Sequence, residues 1–155
     1  MSWNLENLKK VYGDEMPDIK FTVERKLTVE DMDDIFTTAI EGGIGYWNVI
    51  DNTTPEWEKA EEQLQAAGAD LYWGTVATKV LLNGDSIRMY DAEADEDDLQ
   101  DDEIWYLDME KFIKGCKIYE NERGSLIKCL EDGNFDAVEA DCLVQYSLFG
   151  TIIFG

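Results

Sequence analysis

The chain contains no histidine. That removes serine–histidine–aspartate and cysteine–histidine catalysis, histidine-ligated metal sites and the commonest acid–base side chain. Serine–lysine or carboxylate-only chemistry stays open, but no spacing marks it out. With thirty-five acids some carboxylate pair always lies at a glycosidase-like separation, so such a pair carries no information. The expectation is a protein that is not an enzyme and carries no cofactor.

Cations are scarce as well. Thirteen Lys and Arg face thirty-five Asp and Glu, for a formal net charge of −22. The basic residues are scattered, and the trio Lys111, Lys114 and Lys117 on one predicted helix balances local acids. Direct nucleic-acid binding needs clustered cations. A surface this negative repels nucleic acid and anionic lipid and attracts basic partners. Solubility, or life in a salty medium, also accounts for such a charge, although one segment holds much of the excess.

Only three cysteines are present, Cys116, Cys129 and Cys142, with no CxxC spacing. An odd count without that spacing reads as buried, reduced thiols in a cytosolic protein. No basic stretch precedes an apolar one as in a signal peptide, and no apolar run approaches the roughly 20 residues of a membrane span. The expected location is therefore the cytoplasm.

Against these absences stand 45% hydrophobic and 12% aromatic residues in a chain of 155. A domain of this size buries roughly 70% of its unfolded surface and needs no staple. A single domain over 1–155 is expected, of class α+β: a small antiparallel sheet with four to five helices packed against it, in one pair of layers.

The spacing within 2–12 predicts a short helix, and the alternation of Ile19 to Leu27 predicts a strand. Thr28 reads as an N-cap, and Met32, Ile35, Phe36, Ala39 and Ile40 recur at helical spacing until Gly42 and Gly43. Gly45 to Asp51 reads as a strand. Thr54 and Pro55 open a second helix with Trp57, Ala60, Leu64 and Ala67 inward. The apolar runs Leu71 to Leu82 and Ile87 to Tyr90 flank Asn83-Gly84, a hairpin signal. Ile104 to Leu107 should pair with Ile87 to Tyr90. Asp108 caps a helix with Met109, Phe112, Ile113, Cys116 and Tyr119 on one stripe, and a last helix runs from Ala137 to Phe149. Residues 124–135 are irregular or a short helix.

Gly42-Gly43-Ile44-Gly45 is no phosphate cradle, because the glycines follow a helix and precede a strand, the reverse of a phosphate loop. Between the two predicted strands, residues 91–103 (DAEADEDDLQDDE) hold nine acids in thirteen positions: Asp91, Glu93, Asp95, Glu96, Asp97, Asp98, Asp101, Asp102 and Glu103. This reads as a solvated loop. It is no EF-hand, since Glu96 stands where glycine is needed and Asp102 where a bidentate glutamate is needed. No specific metal site is expected, only loose divalent binding at millimolar metal.

The loop is one candidate binding surface. The acidic outer faces of two helices are the other: Glu30, Asp31, Asp33 and Asp34 on one, Glu56, Glu58, Glu61 and Glu62 on the next. Carboxylates three and four apart on a helix stand about 5–6 Å from one another, a coarse imitation of a phosphate backbone. Taken singly, each cluster also fits a plain solvated helix face. Five tryptophans, Trp3, Trp47, Trp57, Trp73 and Trp105, are mostly core, with Trp47 and Trp105 expected in strands facing helices, and any exposed one a natural hot spot.

Four segments, EGGIGYW (Glu41 to Trp47), YDAE (Tyr90 to Glu93), WYLDMEKFIKG (Trp105 to Gly115) and DAVEADCLVQYSLFGTIIFG (Asp136 to Gly155), together resemble a family of small acidic proteins encoded by phages and mobile elements of Gram-positive bacteria. The resemblance covers about residues 28–155. It carries over no catalytic residue. It implies a setting, a bacterial host cell managed by a mobile element, in which small acidic proteins include inhibitors of host defence such as anti-CRISPR proteins and nucleic-acid mimics. The leading expectation is a stoichiometric inhibitor of a positively charged host protein, a nuclease or other nucleic-acid enzyme. A nucleotide-signal sponge using Arg88 and Lys79, and a structural or assembly protein, are the alternatives.

Overall fold

The computed structural model describes residues 4–13, 15, 17–20 and 24–155. Among them are seven α-helices: α1 (Leu5–Tyr12), α2 (Val29–Thr38), α3 (Pro55–Ala66), α4 (Trp73–Leu82), α5 (Met109–Arg123), α6 (Leu126–Glu131) and α7 (Ala137–Phe149). Three strands, β1 (Asn48–Ile50), β2 (Ile87–Asp91) and β3 (Ile104–Leu107), form one antiparallel sheet in the order β1-β2-β3. The class is α+β, with a smaller sheet and more helices than expected.

Helix starts follow local chemistry. Thr28 Oγ1 accepts from the Asp31 amide at 3.1 Å, and Asp31 Oδ2 accepts from the Thr28 amide at 2.9 Å, a reciprocal cap that satisfies two orphan donors. Thr54, Asp108 and Asp136 cap α3, α5 and α7 one way only, each side chain accepting from the amide three residues on, and Pro55 occupies the first turn of α3. Beyond Thr38 the backbone of α2 widens into a π-helical turn over Ala39–Gly43. A Cβ on Gly43 would lie 2.9 Å from the carbonyl oxygen of Ala137, so this turn is where α7 begins against α2.

Three sequence expectations are corrected. Ile19, Lys20 and residues 24–27 form no strand, and positions 21–23 of that expectation lie outside the described residues. Alternation alone does not make a strand without a partner edge to pair with. The expected strand over Gly45 to Asp51 shortens to Asn48–Ile50, because Gly45 to Trp47 form a turn. Most consequentially, Asn83-Gly84 is not a hairpin turn: Trp73–Leu82 is helical and Gly84 ends it with φ +81°. The Asp85 amide reaches back to the Val80 carbonyl at 3.1 Å and the Gly84 amide to Leu81 at 3.0 Å, so a positive-φ glycine closes a helix here rather than a ribbon.

The expected pairing of β2 with β3 across the acidic segment is present, with Ile87 opposite Leu107 and Tyr90 opposite Ile104. Period-two alternation then sorts the sheet faces. Ile87, Met89 and Leu107 are fully buried under the helices, whereas Arg88, Tyr90 and Tyr106 stand on the other face, half-buried or exposed. The main core joins Ile35 and Phe36 of α2, Val76 and Val80 of α4, Phe112 of α5 and Leu143 of α7.

A second, aromatic core lies on another face of α7, along Ala140 and Val144. Trp47 stacks on Phe154 at a centroid distance of 4.9 Å and meets Trp105 and Phe149 at 5.6 Å each. Its indole N–H donates to Asp141 Oδ1 at 2.8 Å, and Tyr46 donates to Asp141 Oδ2 at 2.6 Å. Buried Gln145 accepts from the amides of Ile153 and Phe154 at 2.8 Å each and donates to the Phe154 carbonyl at 3.1 Å. It thereby seats the last residues on α7. Replacing Gln145 with leucine leaves two amides without that acceptor, each costing about 1–3 kcal/mol if it stays dry. The Gln145→Leu variant should show Phe154 released, read as faster hydrogen exchange at Ile153 and Phe154 and a lower melting temperature.

Candidate functional site

The acidic segment leaves β2 at Asp91 and re-enters the sheet at Ile104. It is organised by its own acids. Asp91 Oδ1 accepts from the Glu93 amide at 2.9 Å, and Asp95 Oδ1 from the Asp97 amide at 3.1 Å. Gln100 bridges Asp98 and Glu103, with a 3-10 turn over Asp101–Glu103. Four of the nine carboxylates thus hold the backbone in tight turns. The side chains of Glu93, Glu96, Asp97, Asp101 and Asp102 are exposed and accept no hydrogen bond among the described residues.

Among the described residues no cation pairs with this loop. The ion pairs among the described residues join Arg25 to Asp31 and Glu131, Lys59 to Asp85, Arg88 to Asp51, Lys114 to Glu110 and Arg123 to Glu139. None includes a residue of 91–103. Among the described residues no three Cys, Asp or Glu side chains converge to hold a metal ion. Burial first, then the charges of Glu96 and Asp51, raise the Tyr90 phenol above its ordinary value.

The helical acids divide. Asp31 is buried and spent on its cap and on Arg25, so it leaves the expected acidic face of α2. Glu30 and Asp33 border a groove over α4, where Thr75 donates to Asp33 at 2.8 Å. Asp34 instead borders a depression with Thr37, Leu130 and Phe135. On α3, Glu58 and Glu62 are exposed, and Glu56 and Glu61 are half-buried. The nine loop acids form the densest group, the α3 acids a second, and the α2 acids are split between two sides of their helix.

Sequence reasoning missed the open sheet face carrying Arg88, Tyr90 and Tyr106. The alternation within IRMYD was the signal, because one face of it is polar and aromatic. Trp105 turns inward to Trp47 and Phe149, and among the described tryptophans Trp73 is the exposed one, 43% accessible and 5.4 Å from Trp57. Trp3 lies outside the described residues. Arg88 is tied to Asp51 at 2.7 Å, which neutralises the cation an anionic ligand would need.

Titration links these charges to stability. The Arg123 guanidinium, against the cost of burial and helped by the Tyr119 hydroxyl, holds the Glu139 carboxyl below its ordinary value. Burial pushes Asp31 and Asp51 up, but the Thr28 amide with Arg25, and Thr53 with Arg88, outweigh it and leave both lowered. A depressed carboxylate contributes stability above its unfolded pKa and loses it as pH falls through the folded value. Protonating the exposed acids acts the other way, by relieving self-repulsion. At low salt the melting temperature should rise from pH 7 to about 5 and fall below about 4, where carboxylates protonate. Added salt should raise it at pH 7. A monotonic fall from pH 7 downward contradicts this.

No family model matches the chain, and neither a curated protein nor a solved structure is detectably similar to it.

Proposed function

We propose that this chain works by occupation: it is a stoichiometric inhibitor, encoded by a phage or mobile element, whose acidic surface fills a cationic groove on a host nucleic-acid enzyme. The observation that carries the reading is the set of five carboxylates on the 91–103 loop that are unbonded among the described residues, held on a backbone braced by the other four. A pre-turned loop presents its charges without the ordering cost of a disordered acidic tail. Exposed, unpaired carboxylates steer a basic partner and release counterions when they meet it. The α3 acids Glu58, Glu61 and Glu62 extend the surface, with Glu30, Asp33 and Asp34 of α2 contributing from its two sides.

A nucleotide sponge has less support. One of its two suggested cations is engaged, because Arg88 pairs with Asp51, and the other, Lys79, lines a groove together with Glu30 and Asp33.

The test is capture from lysate of a Gram-positive host at low and high salt, with duplex DNA and RNA as competitors. The reading expects a nucleic-acid-binding enzyme, held at low salt, released at high salt and displaced by nucleic acid, and inhibited in its own assay at one-to-one stoichiometry. Capture that ignores both salt and competitor overturns it.

A further inference from the structure

A different surface, independent of the acidic loop, carries a second conclusion. An open apolar groove of about 520 Å³ runs between the start of α2, the end of α4 and the side of α5. Val29, Met32, Leu82, Met109, Phe112 and Ile113 give it its floor and walls. It shares Val29 and Leu82 with a neighbouring groove of about 240 Å³ that extends past Leu64. Three wall residues are unusually open for apolar side chains: Val29 is 57% exposed, Ile113 48% and Leu82 45%.

The same chain carries an amphipathic helix none of whose residues is buried among the described residues. In α1, Leu5, Leu8, Val11 and Tyr12 follow helical spacing and lie on one stripe, yet every residue of the helix is exposed. Tyr12 is 80% exposed. An isolated helix of eight residues is far below the length that holds by itself in water. Its stability must come from burying that stripe.

We infer that α1 folds back and seats its Leu5, Leu8, Val11 and Tyr12 stripe in the groove of its own chain. Three observations name this occupant. The tether ends at the site, because Leu27 and Thr28 are themselves part of the groove wall and Arg25, ion-paired to Asp31 and Glu131, fixes the chain just before it. The connecting residues 13–24 reach up to about 40 Å when extended, ample for a helix about 12 Å long to turn back. Charge agrees: α1 carries Lys9 and Lys10 against one Glu6, while Glu30, Asp33 and Glu120 stand on the rims of the two grooves, offset only by Lys79 and Lys117. Apolar anchors at successive turns entering a groove are the common way an amphipathic helix docks. The short tether keeps the local concentration of α1 high, which favours docking within one chain over docking between chains.

Hydrogen exchange of the full chain tests this, with Leu8→Asp and Ile113→Asp as variants. Both positions are exposed in the structure, so neither change disturbs the main core. Docking predicts that the amides of Leu8 to Tyr12 exchange at least about 10-fold more slowly in the parent than in either variant. It also predicts that this protection is independent of protein concentration and that the parent sediments as a monomer. Equal exchange in all three proteins overturns the inference. Protection that grows with concentration alongside a dimer overturns it in favour of exchange of α1 between two copies. If circular dichroism finds a variant unfolded, the comparison is read from the other, and Val29→Glu on the opposite wall serves as the third.

Discussion

Replacing Gly74 with valine is expected to cost about 3 kcal/mol of unfolding free energy, a fall of about 6–12 °C in melting temperature for a chain of this size. Gly74 lies in the first turn of α4 where that helix crosses α2. A Cβ there would stand 2.5 Å from the Thr37 amide nitrogen and 2.6 Å from Thr37 Cα. These are backbone atoms, so relief requires moving a helix rather than a rotamer. Gly115 is the matching position on α5, where a Cβ would come within 2.7 Å of Ser147 Cα on α7. Even alanine, a better helix former by about 1 kcal/mol, should destabilise at both sites. Gly45→Ala is the control, because a Cβ there meets nothing within 4 Å. Chemical denaturation of Gly74→Val, Gly74→Ala, Gly115→Ala and Gly45→Ala checks this, and a loss below about 1 kcal/mol for Gly74→Val means the α2–α4 crossing is looser than described.

The second large effect concerns binding without folding. Glu93→Gln, Glu96→Gln, Asp97→Asn, Asp101→Asn and Asp102→Asn together remove five of the charges behind a net −22. None of these side chains caps a turn or joins an ion pair among the described residues, so the fold loses no contact and sheds some self-repulsion. The five-fold variant should melt at the same temperature as the parent or higher. Its affinity for the captured enzyme should nevertheless fall about 100-fold, chiefly through slower association. The opposite set, Asp91, Asp95, Asp98 and Glu103, brace the loop, and neutralising them should loosen its turns as well as remove charge.

Local chemistry was legible in the residues, and tertiary choices were not. Thr28, Thr54, Asp108 and Asp136 each sit three positions before the amide they cap, a relation visible in the chain itself. Leu71 to Leu82 was ambiguous because a continuous apolar run fits a buried helix as well as strands. Asn83-Gly84 supplies a positive φ that a helix end and a hairpin both use. The segment after Pro17 alternates like a strand, but pairing depends on an edge elsewhere in the fold.

The candidate site divides in the same way. The density of acids in 91–103, and the pairing of the strands on either side, could be read directly. That Asp31 is consumed by Arg25 and a cap, or that Asp33 and Asp34 face different neighbours, depends on how α2 sits against α4 and α6. The segments EGGIGYW, WYL and the last twenty residues converge on Trp47, Asp141, Gln145 and Phe154, an aromatic core whose polar contacts depend on the tertiary fold.

The central claim, that unpaired loop carboxylates do the binding, is tested most directly by the salt dependence of affinity for the captured enzyme, measured for the parent and the five-fold neutral variant. The account predicts a steep loss of affinity with salt for the parent, and a weaker, flatter dependence for the variant. Identical affinity and identical slope in the two proteins would contradict it.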